Sequence, residues 1–346
     1  MRDPKLTVCL PTFNKVRYLP TAIESVLAQE FRDYELLIVD DASTDHTGEA
    51  VGGFRDSRIR YVCNPQNIGL IGNWNRCLEL ACADYVIIFH DDDVMLPGLL
   101  RREVEVLESN PGAILVHSAA QTIDGSGAVL SVPPPRSWPA FSSGLEFVAR
   151  YWSLTESYVV MPSAMFRKSL ALKLRAFNPD LKYSADADLW QRLAFEGQIA
   201  FLDEVLISYR IHSLQTTQTI LRNSLQMLEE RLKLADETRK LVAAHGGNLD
   251  RDIDRNLSQA FTRDLPELRR WNASIPDVLQ YARAAVRVHP QVLRSLRFMT
   301  YFVLAILPPM LIRWLKRFHI RWLSSVWSAA RSDSPPPGTR GATMTD

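Results

Sequence analysis

Three consecutive aspartates, Asp91, Asp92 and Asp93, end an apolar run in the stretch VIIFHDDDVMLP at residues 86–97. Unit charges about 4 Å apart repel by roughly 1 kcal/mol in water and about 4 kcal/mol near a protein surface, so this clustering requires a compensating cation. Carboxylate oxygens suit Mg²⁺ or Mn²⁺, which bind one or two carboxylates together with substrate phosphates. The aspartates therefore predict a divalent metal that holds a diphosphate; a solvated acidic loop is the alternative.

Two further polar clusters also follow apolar runs. The stretch PTFN at residues 11–14 follows the run at 5–10, and Asp40-Asp41 follow the run at 34–39. An aromatic ring such as that of Phe13 can stack on a nucleobase. Each cluster also has a simpler interpretation. Residues 11–14 can form a strand-ending turn, and Asp40-Asp41, followed by Ser43, can cap the next helix.

The elements that must position these clusters alternate between strand and helix. Short apolar and β-branched runs predict strands at 5–10 (stopped by Pro11), 34–39, 58–64, 84–90, 113–118 and 199–211. Helical spacing predicts one helix that begins at residue 19 and further helices over 67–82, 99–109, 144–152, 185–196 and 218–245. This alternation predicts an α/β fold with a mostly parallel sheet between helices. Ligands of such sheets bind beyond the carboxyl ends of the strands, so we expect the three clusters to share one site.

The composition is that of a globular, intracellular protein. The chain has 346 residues, 47% of them hydrophobic, with a net charge of +1. Four cysteines without a CxxC pair, and the lack of an apolar segment after the first residues, predict buried thiols in the cytoplasm. The charge is unevenly distributed, because residues 1–250 hold 25 basic and 32 acidic side chains whereas 251–346 hold 15 and 7.

The C-terminal region predicts contact with a membrane surface. Residues 298–312 are strongly apolar, but they are interrupted by Pro308-Pro309 and fall short of the ~20 residues needed to span a bilayer. Residues 313–327 combine basic side chains with tryptophans, as in-plane membrane helices do. Packing against protein is the alternative. Nucleic-acid binding is disfavoured because the arginines alternate with Leu, Ile and Trp.

Five motifs in a fixed order carry a resemblance to a known family. They are VCLPTFNKVRYLPTAIESVLAQEFRDYELLIVDDASTDHT, NPQNIGLIGNWN, FHDDDVMLP, YSADADLWQRLAFEG and ISYRIH. Together they resemble the inverting family 2 glycosyltransferases of bacteria, which have the GT-A nucleotide-diphospho-sugar transferase fold. The likeness covers about residues 4–215 and does not extend to the C-terminal region.

The resemblance implies a nucleotide-sugar site and a metal site. The residues that it places around the nucleotide-sugar are Pro11, Thr12, Phe13, Asn14, Asp40, Asp41, Asn67 and Asp91. The family's metal-binding aspartate corresponds to Asp92, and His212 of the YRIH element is a further candidate ligand for Mg²⁺ or Mn²⁺. His90 replaces the family's usual first aspartate, so the ion is held by Asp92 alone or by Asp92 with Asp91.

The resemblance also implies a catalytic base. The family's Glu-Asp pair corresponds here to Ala185 and Asp186, so Asp186 is the candidate base and Asp188 is the competitor. Both aspartates open a predicted helix, where capping is the simpler role for one of them.

The resemblance predicts an inverting, metal-dependent hexosyltransferase that moves a sugar from a nucleotide-diphospho-sugar to a hydroxyl of a lipid-linked or other cell-surface glycan, at the inner face of the cell membrane. The alternatives are a polyprenyl-phosphate sugar transferase and a catalytically silent nucleotide-sugar-binding assembly subunit. The predicted parts are a catalytic domain at 1–215, a helical region at 216–295, a membrane-interface segment at 296–330 and a disordered tail at 331–346.

Overall fold

The computed structural model describes residues 3–154, 159–212, 224–268, 274–288 and 290–307. The strands within these ranges are β1 Leu6–Thr12, β2 Tyr34–Asp40, β3 Ile59–Cys63, β4 Tyr85–Ile88, β5 Val94–Met95, β6 Ala113–Ile123, β7 Val129–Ser131, β8 Phe141–Ser142, β9 Ala164–Arg167 and β10 Gln198–Arg210. The α-helices are α1 Leu19–Leu27, α2 Thr47–Gly52, α3 Leu70–Leu80, α4 Leu99–Ser109, α5 Gly144–Ser153, α6 Lys168–Lys173, α7 Ala185–Ala194, α8 Ser224–Ala244, α9 Asp250–Leu268, α10 Ile275–Val288 and α11 Leu296–Ile306.

All of these strands belong to one sheet. Its main order is β3-β2-β1-β4-β9-β6-β10-β5, with β7 beside β6 and β8 beside β10. β1 is parallel to β2 and β4, β2 to β3, and β6 to β10, whereas β9 runs antiparallel between β4 and β6. The predicted α/β fold with a mostly parallel sheet and a helical C-terminal region is confirmed.

The first strand does not stop at Pro11, as the sequence predicted, but continues to Thr12. Pro11 pairs with Val39 of β2, whereas the pairing between β1 and β4 ends at Cys9 and Ile88. Because proline lacks an N–H donor, it is tolerated where a strand is paired on one side only. The extension places Thr12 at the same edge of the sheet as the aspartates that follow β4.

Two apolar cores cover the two faces of the sheet. Neighbouring residues of β2 alternate between them, with Leu36 and Ile38 in the core under α1 and α4, and Leu37 and Val39 in the core under α3. This period of two is the usual side-chain alternation of a strand. Of the predicted buried thiols, Cys9 and Cys77 are buried, but Cys63 and Cys82 are exposed, since one lies on the edge strand β3 and the other in the loop after α3.

The C-terminal helices extend the core that contains α3. Leu228 of α8, Phe261 of α9 and Phe298 of α11 belong to the same apolar cluster as residues of α5 and α7. Inside this region, buried Asp264 accepts a hydrogen bond from the Tyr281 hydroxyl at 2.7 Å and pairs with Arg231. The helices therefore pack directly on the sheet domain. The boundary predicted at residue 215 lies outside the described ranges.

No helix among the described residues is both long enough and apolar enough to cross a membrane. Of the predicted membrane-interface segment, residues 296–307 are described and 308–330 lie outside the described residues, as does the predicted tail at 331–346.

Candidate active site

A cavity of about 590 Å³ opens where β1, β2 and β4 end. Its lining includes Phe13 after β1, Asp41 after β2 and Asp91 after β4. Because these three strands are parallel, their carboxyl ends reach the same edge of the sheet. The structure thus brings the three predicted clusters together at one cavity.

Asp92 is held from two sides. Its Oδ2 accepts a hydrogen bond from Lys15 Nζ at 3.2 Å and lies 2.9 Å from His212 Nε2. Burial favours a raised pKa for Asp92, but the charges of His90 and Lys15 and the hydrogen bond with His212 outweigh it, and the pKa is lowered. The Asp92 carboxylate is therefore stabilised in its charged form. Asp92 lines the cavity, and His212 lies behind it.

The two neighbouring aspartates differ from Asp92 and from each other. Asp91 lines the cavity, and burial, followed by the negative charge of Asp92, raises its pKa to about 7. Asp93 does not line the cavity: its Oδ1 accepts the backbone N–H of Arg210 at 2.7 Å, and its Oδ2 lies 3.4 Å from His90 Nδ1. Asp93 therefore ties the aspartate turn to β10.

The Asp40-Asp41 pair is divided between two tasks. Asp41 lines the cavity, and its carboxylate accepts the backbone N–H groups of Ile68 and Gly69, both at 2.9 Å, and the Asn64 side chain, also at 2.9 Å. Asp41 thereby fixes the loop that precedes α3. Asp40 lies beside the cavity and accepts hydrogen bonds from the Ser43 N–H and the Tyr61 hydroxyl.

The PTFN motif is divided in the same way. Pro11, Thr12 and Phe13 line the cavity, and the ring of Phe13 is 44% exposed, which leaves it accessible to a ligand. Asn14 adopts a left-handed backbone conformation, with φ of 53°, and accepts the Thr44 N–H at 2.8 Å. It connects the motif to the loop after β2 and does not line the cavity. Asn67, the remaining predicted nucleotide contact, does line it.

The two candidate bases lie on different sides of α7. Asp186 lines the cavity, whereas Asp188 forms an ion pair with Arg192 at 2.6 Å and lines a separate surface pocket. Burial raises the pKa of Asp186, and the hydrogen bond from the Ala187 N–H, which lowers it, offsets only part of this effect. A raised pKa makes a carboxylate a better proton acceptor.

Residues 7–174 match the family model described as Glycosyl transferase family 2. This segment is a family 2 glycosyltransferase domain. Its most similar relatives include an uncharacterized glycosyltransferase of Methanocaldococcus jannaschii, 28% identical over 216 residues, which cover 61% of this chain and 72% of the relative. An uncharacterized glycosyltransferase of Rickettsia prowazekii is 28% identical over 231 residues, which cover 66% and 70% of the two chains.

Solved structures share the GT-A fold of this glycosyltransferase. A fragment of S. aureus TarS, residues 1–349, superposes with a TM-score of 0.59 at 18% identity, over 87% of this chain and 88% of that fragment; the fragment has also been solved with UDP-GlcNAc. The mannosyltransferase PcManGT of Pyrobaculum calidifontis, solved with GDP-Man and Mn²⁺, has a TM-score of 0.53 at 18% identity, over 88% and 86% of the two chains. At this level of identity the likeness establishes the fold alone.

The donor atoms of the glycosyltransferase site fit a divalent ion. His90, Asp92 and Asp93 each offer one ligand atom, and these atoms lie within 4.8 Å of one another. Among the described residues the buried Nε2 of His90 has no hydrogen-bond partner. This nitrogen is thus available as a donor beside the carboxylate oxygens, which are the ligands that Mg²⁺ and Mn²⁺ prefer. A cation here also offsets the repulsion between Asp91 and Asp92.

Sequence reasoning gave no role to several residues of this cavity, among them Lys15 and Trp74. Lys15 directly follows the PTFN motif, and Trp74 lies inside the NPQNIGLIGNWN motif and stacks on His90, with 6.1 Å between ring centroids. Their positions within quoted motifs were the available signal. Neither residue type is diagnostic, because lysines usually lie on the surface and tryptophans usually fill cores.

Proposed function

We propose that this glycosyltransferase transfers a hexose from a nucleotide-diphospho-sugar to a hydroxyl of a lipid-linked or other cell-surface glycan, with inversion at the anomeric carbon. One observation carries this proposal: Asp92 and Asp186 line the same cavity. Asp92 follows the end of β4, and Asp186 lies at the start of α7. Direct displacement of the diphosphate by an acceptor hydroxyl requires a group that holds the diphosphate and a base that takes the hydroxyl proton. Asp92 and Asp186 are suited to these two roles.

The donor side of the cavity is supplied by the sheet edge. In this proposal the exposed ring of Phe13 stacks on the base. The loop that Asp41 fixes supplies Asn67 to the lining of the same cavity. Asp92, with Asp91 or His90 as the second ligand, would hold Mg²⁺ or Mn²⁺, which would supply positive charge to the leaving diphosphate.

The acceptor side is supplied by α7. Asp186 accepts the proton of the acceptor hydroxyl as that oxygen attacks the sugar from the face opposite the diphosphate. General-base assistance of this kind contributes about 10²- to 10⁴-fold to the rate. Asp188 is unsuited to this role because Arg192 already binds its carboxylate.

The membrane contact proposed for this enzyme is supported by α11. Its residues Leu296, Met299 and Val303 are 70%, 39% and 44% exposed, and their spacing places them on one side of the helix. Residues 278–307, as far as the structure describes them, contain four arginines and no acidic residue. An apolar stripe in basic surroundings suits an anionic lipid surface, where a lipid-linked acceptor would reside.

Thermal-shift measurements with a panel of UDP-, GDP- and dTDP-sugars, each with Mn²⁺, test this function. We expect one nucleotide class to raise the melting temperature in the presence of Mn²⁺ and much less in the presence of a chelator. The Asp92→Asn variant should lose the Mn²⁺-dependent part of the shift. Absence of a shift with every nucleotide-sugar, in a protein that melts cooperatively, would refute the proposal.

A further inference from the structure

Lys15 supplies a positive charge at the cavity side of the candidate metal ligand. Its Nζ lies 3.2 Å from Asp92 Oδ2, and the side chains of Lys15 and Asp92 are 16% and 9% exposed. Lys15 lines the same cavity as Asp91 and Asp92. The ammonium group therefore stands within hydrogen-bond distance of the oxygen at which a divalent ion is expected.

The same oxygen of Asp92 has a second partner that is held differently. His212 Nε2 lies 2.9 Å from Oδ2, its side chain is 4% exposed, and its ring packs against Tyr18 with 4.6 Å between centroids. His212 is fixed behind Asp92 by this packing. Lys15 approaches from the cavity on a flexible four-carbon stem, so it is the partner that can move.

We infer that Lys15 is an exchangeable counter-ion of Asp92: its ammonium occupies the cavity side of Asp92 in the donor-free enzyme and transfers to the donor's diphosphate, which opens Asp92 to the divalent ion. This inference rests on the proposed function, because it requires a diphosphate-containing donor. An ammonium and a divalent cation repel each other and compete for one oxygen. A diphosphate attracts both, and lysine is a common phosphate ligand.

The exchange makes binding of the metal and of the nucleotide mutually dependent. In the free enzyme the ion must displace Lys15, so the metal alone binds weakly. Once a diphosphate has drawn Lys15 away, the ion meets an available carboxylate. By linkage, the ion must strengthen nucleotide binding by the same factor.

The variant Lys15→Met tests this exchange, because it removes the charge and keeps most of the stem. We expect its Kd for Mn²⁺ alone, from electron paramagnetic resonance titration, to fall about tenfold, the usual scale for one charge-assisted contact. Its Kd for metal-free UDP or GDP, from calorimetry in chelator, should rise about tenfold. A general loss of structure would weaken both ligands, so the opposite signs distinguish counter-ion exchange from misfolding.

Two further variants complete the experiment. Lys15→Arg keeps the charge and should hold both Kd values near those of the wild type. Lys5→Met removes an exposed ion pair with Glu108 at the start of β1, the end of that strand opposite the cavity, and should change neither value. An unchanged or weaker Mn²⁺ Kd in Lys15→Met, an unchanged metal-free nucleotide Kd, or no Mn²⁺ binding by any variant overturns the inference. Failure of the proposed function is a separate outcome, in which the wild type binds no nucleotide-sugar.

Discussion

The carboxylate of Asp188 accepts two hydrogen bonds from the guanidinium of Arg192, at 2.6 and 3.0 Å. Arg192 also donates to the backbone carbonyl of Ala176 at 2.7 Å. The pair therefore fastens α7 to the segment that follows α6, which gives Asp188 a structural role. Asp186, two residues earlier, is left to face the cavity.

The two aspartates of α7 should respond differently to substitution. Asp186→Asn should lower the rate of sugar transfer by about 10²- to 10⁴-fold and leave Mn²⁺-dependent nucleotide binding nearly unchanged. Asp188→Asn should lower the free energy of unfolding by about 2 kcal/mol, because it weakens a charge-assisted pair, and should retain transfer. Single-turnover rates and urea unfolding measure the two effects. Transfer by Asp186→Asn combined with its loss in Asp188→Asn would reverse the assignment.

Removal of divalent ions should abolish transfer. Because the charge of a leaving diphosphate needs compensation, dialysis against a chelator should stop the reaction, and Mn²⁺ or Mg²⁺ should restore it. Asp92→Asn should raise the Kd of Mn²⁺ at least tenfold, because that is roughly the effect of losing one interaction with a charged group. Full activity in chelator would show that the chain works without a metal.

Glu103 should make the protein less stable as the pH rises. This residue of α4 is fully buried, both of its side-chain oxygens have no hydrogen-bond partner among the described residues, and burial raises its pKa well above 4.5. The folded state therefore holds a proton that the unfolded chain loses, so from about pH 4.5 upward this group lowers the free energy of unfolding by up to about 1.4 kcal/mol per pH unit, until its folded pKa is passed.

Glu103→Gln removes this ionisation. Relative to the wild type, the variant should gain stability between pH 5 and pH 8 in urea unfolding and should differ little near pH 4. Glu105→Gln is the matched control, because Glu105 lies on the same helix and pairs with Arg101 at the surface. An equal stability difference at every pH would contradict a buried, protonated Glu103.

The apolar stripe of α11 should bind anionic bilayers. Leu296→Glu combined with Met299→Glu should weaken sedimentation with vesicles of phosphatidylcholine and phosphatidylglycerol at least tenfold, since each buried apolar side chain contributes about 1.5–3 kcal/mol. Leu172→Glu is the control, because Leu172 is similarly exposed, at 43%, on α6. Unchanged vesicle binding by the double variant would exclude the stripe as the contact surface.

The sequence by itself determined the fold class and the grouping of the polar clusters. The periodicities of strands and helices are local features of the sequence. The apolar runs at 34–39 and 84–90 therefore predict two strands, and the structure has strands at 34–40 and 85–88. Parallel strands end at a common edge of the sheet, so the sequence alone predicts that Asp41 and Asp91 lie at one site.

Only the tertiary structure decided what each charged group does. Asp186 and Asp188 lie about 200° apart around α7, so packing alone selects the one that faces the cavity. Lys15 and His212 meet Asp92 across 77 and 120 residues of chain. No local pattern encodes such contacts, because they depend on how the strands and loops are arranged in space. The three aspartates after β4 thus became a metal ligand candidate, a protonatable neighbour and a structural anchor through their separate partners.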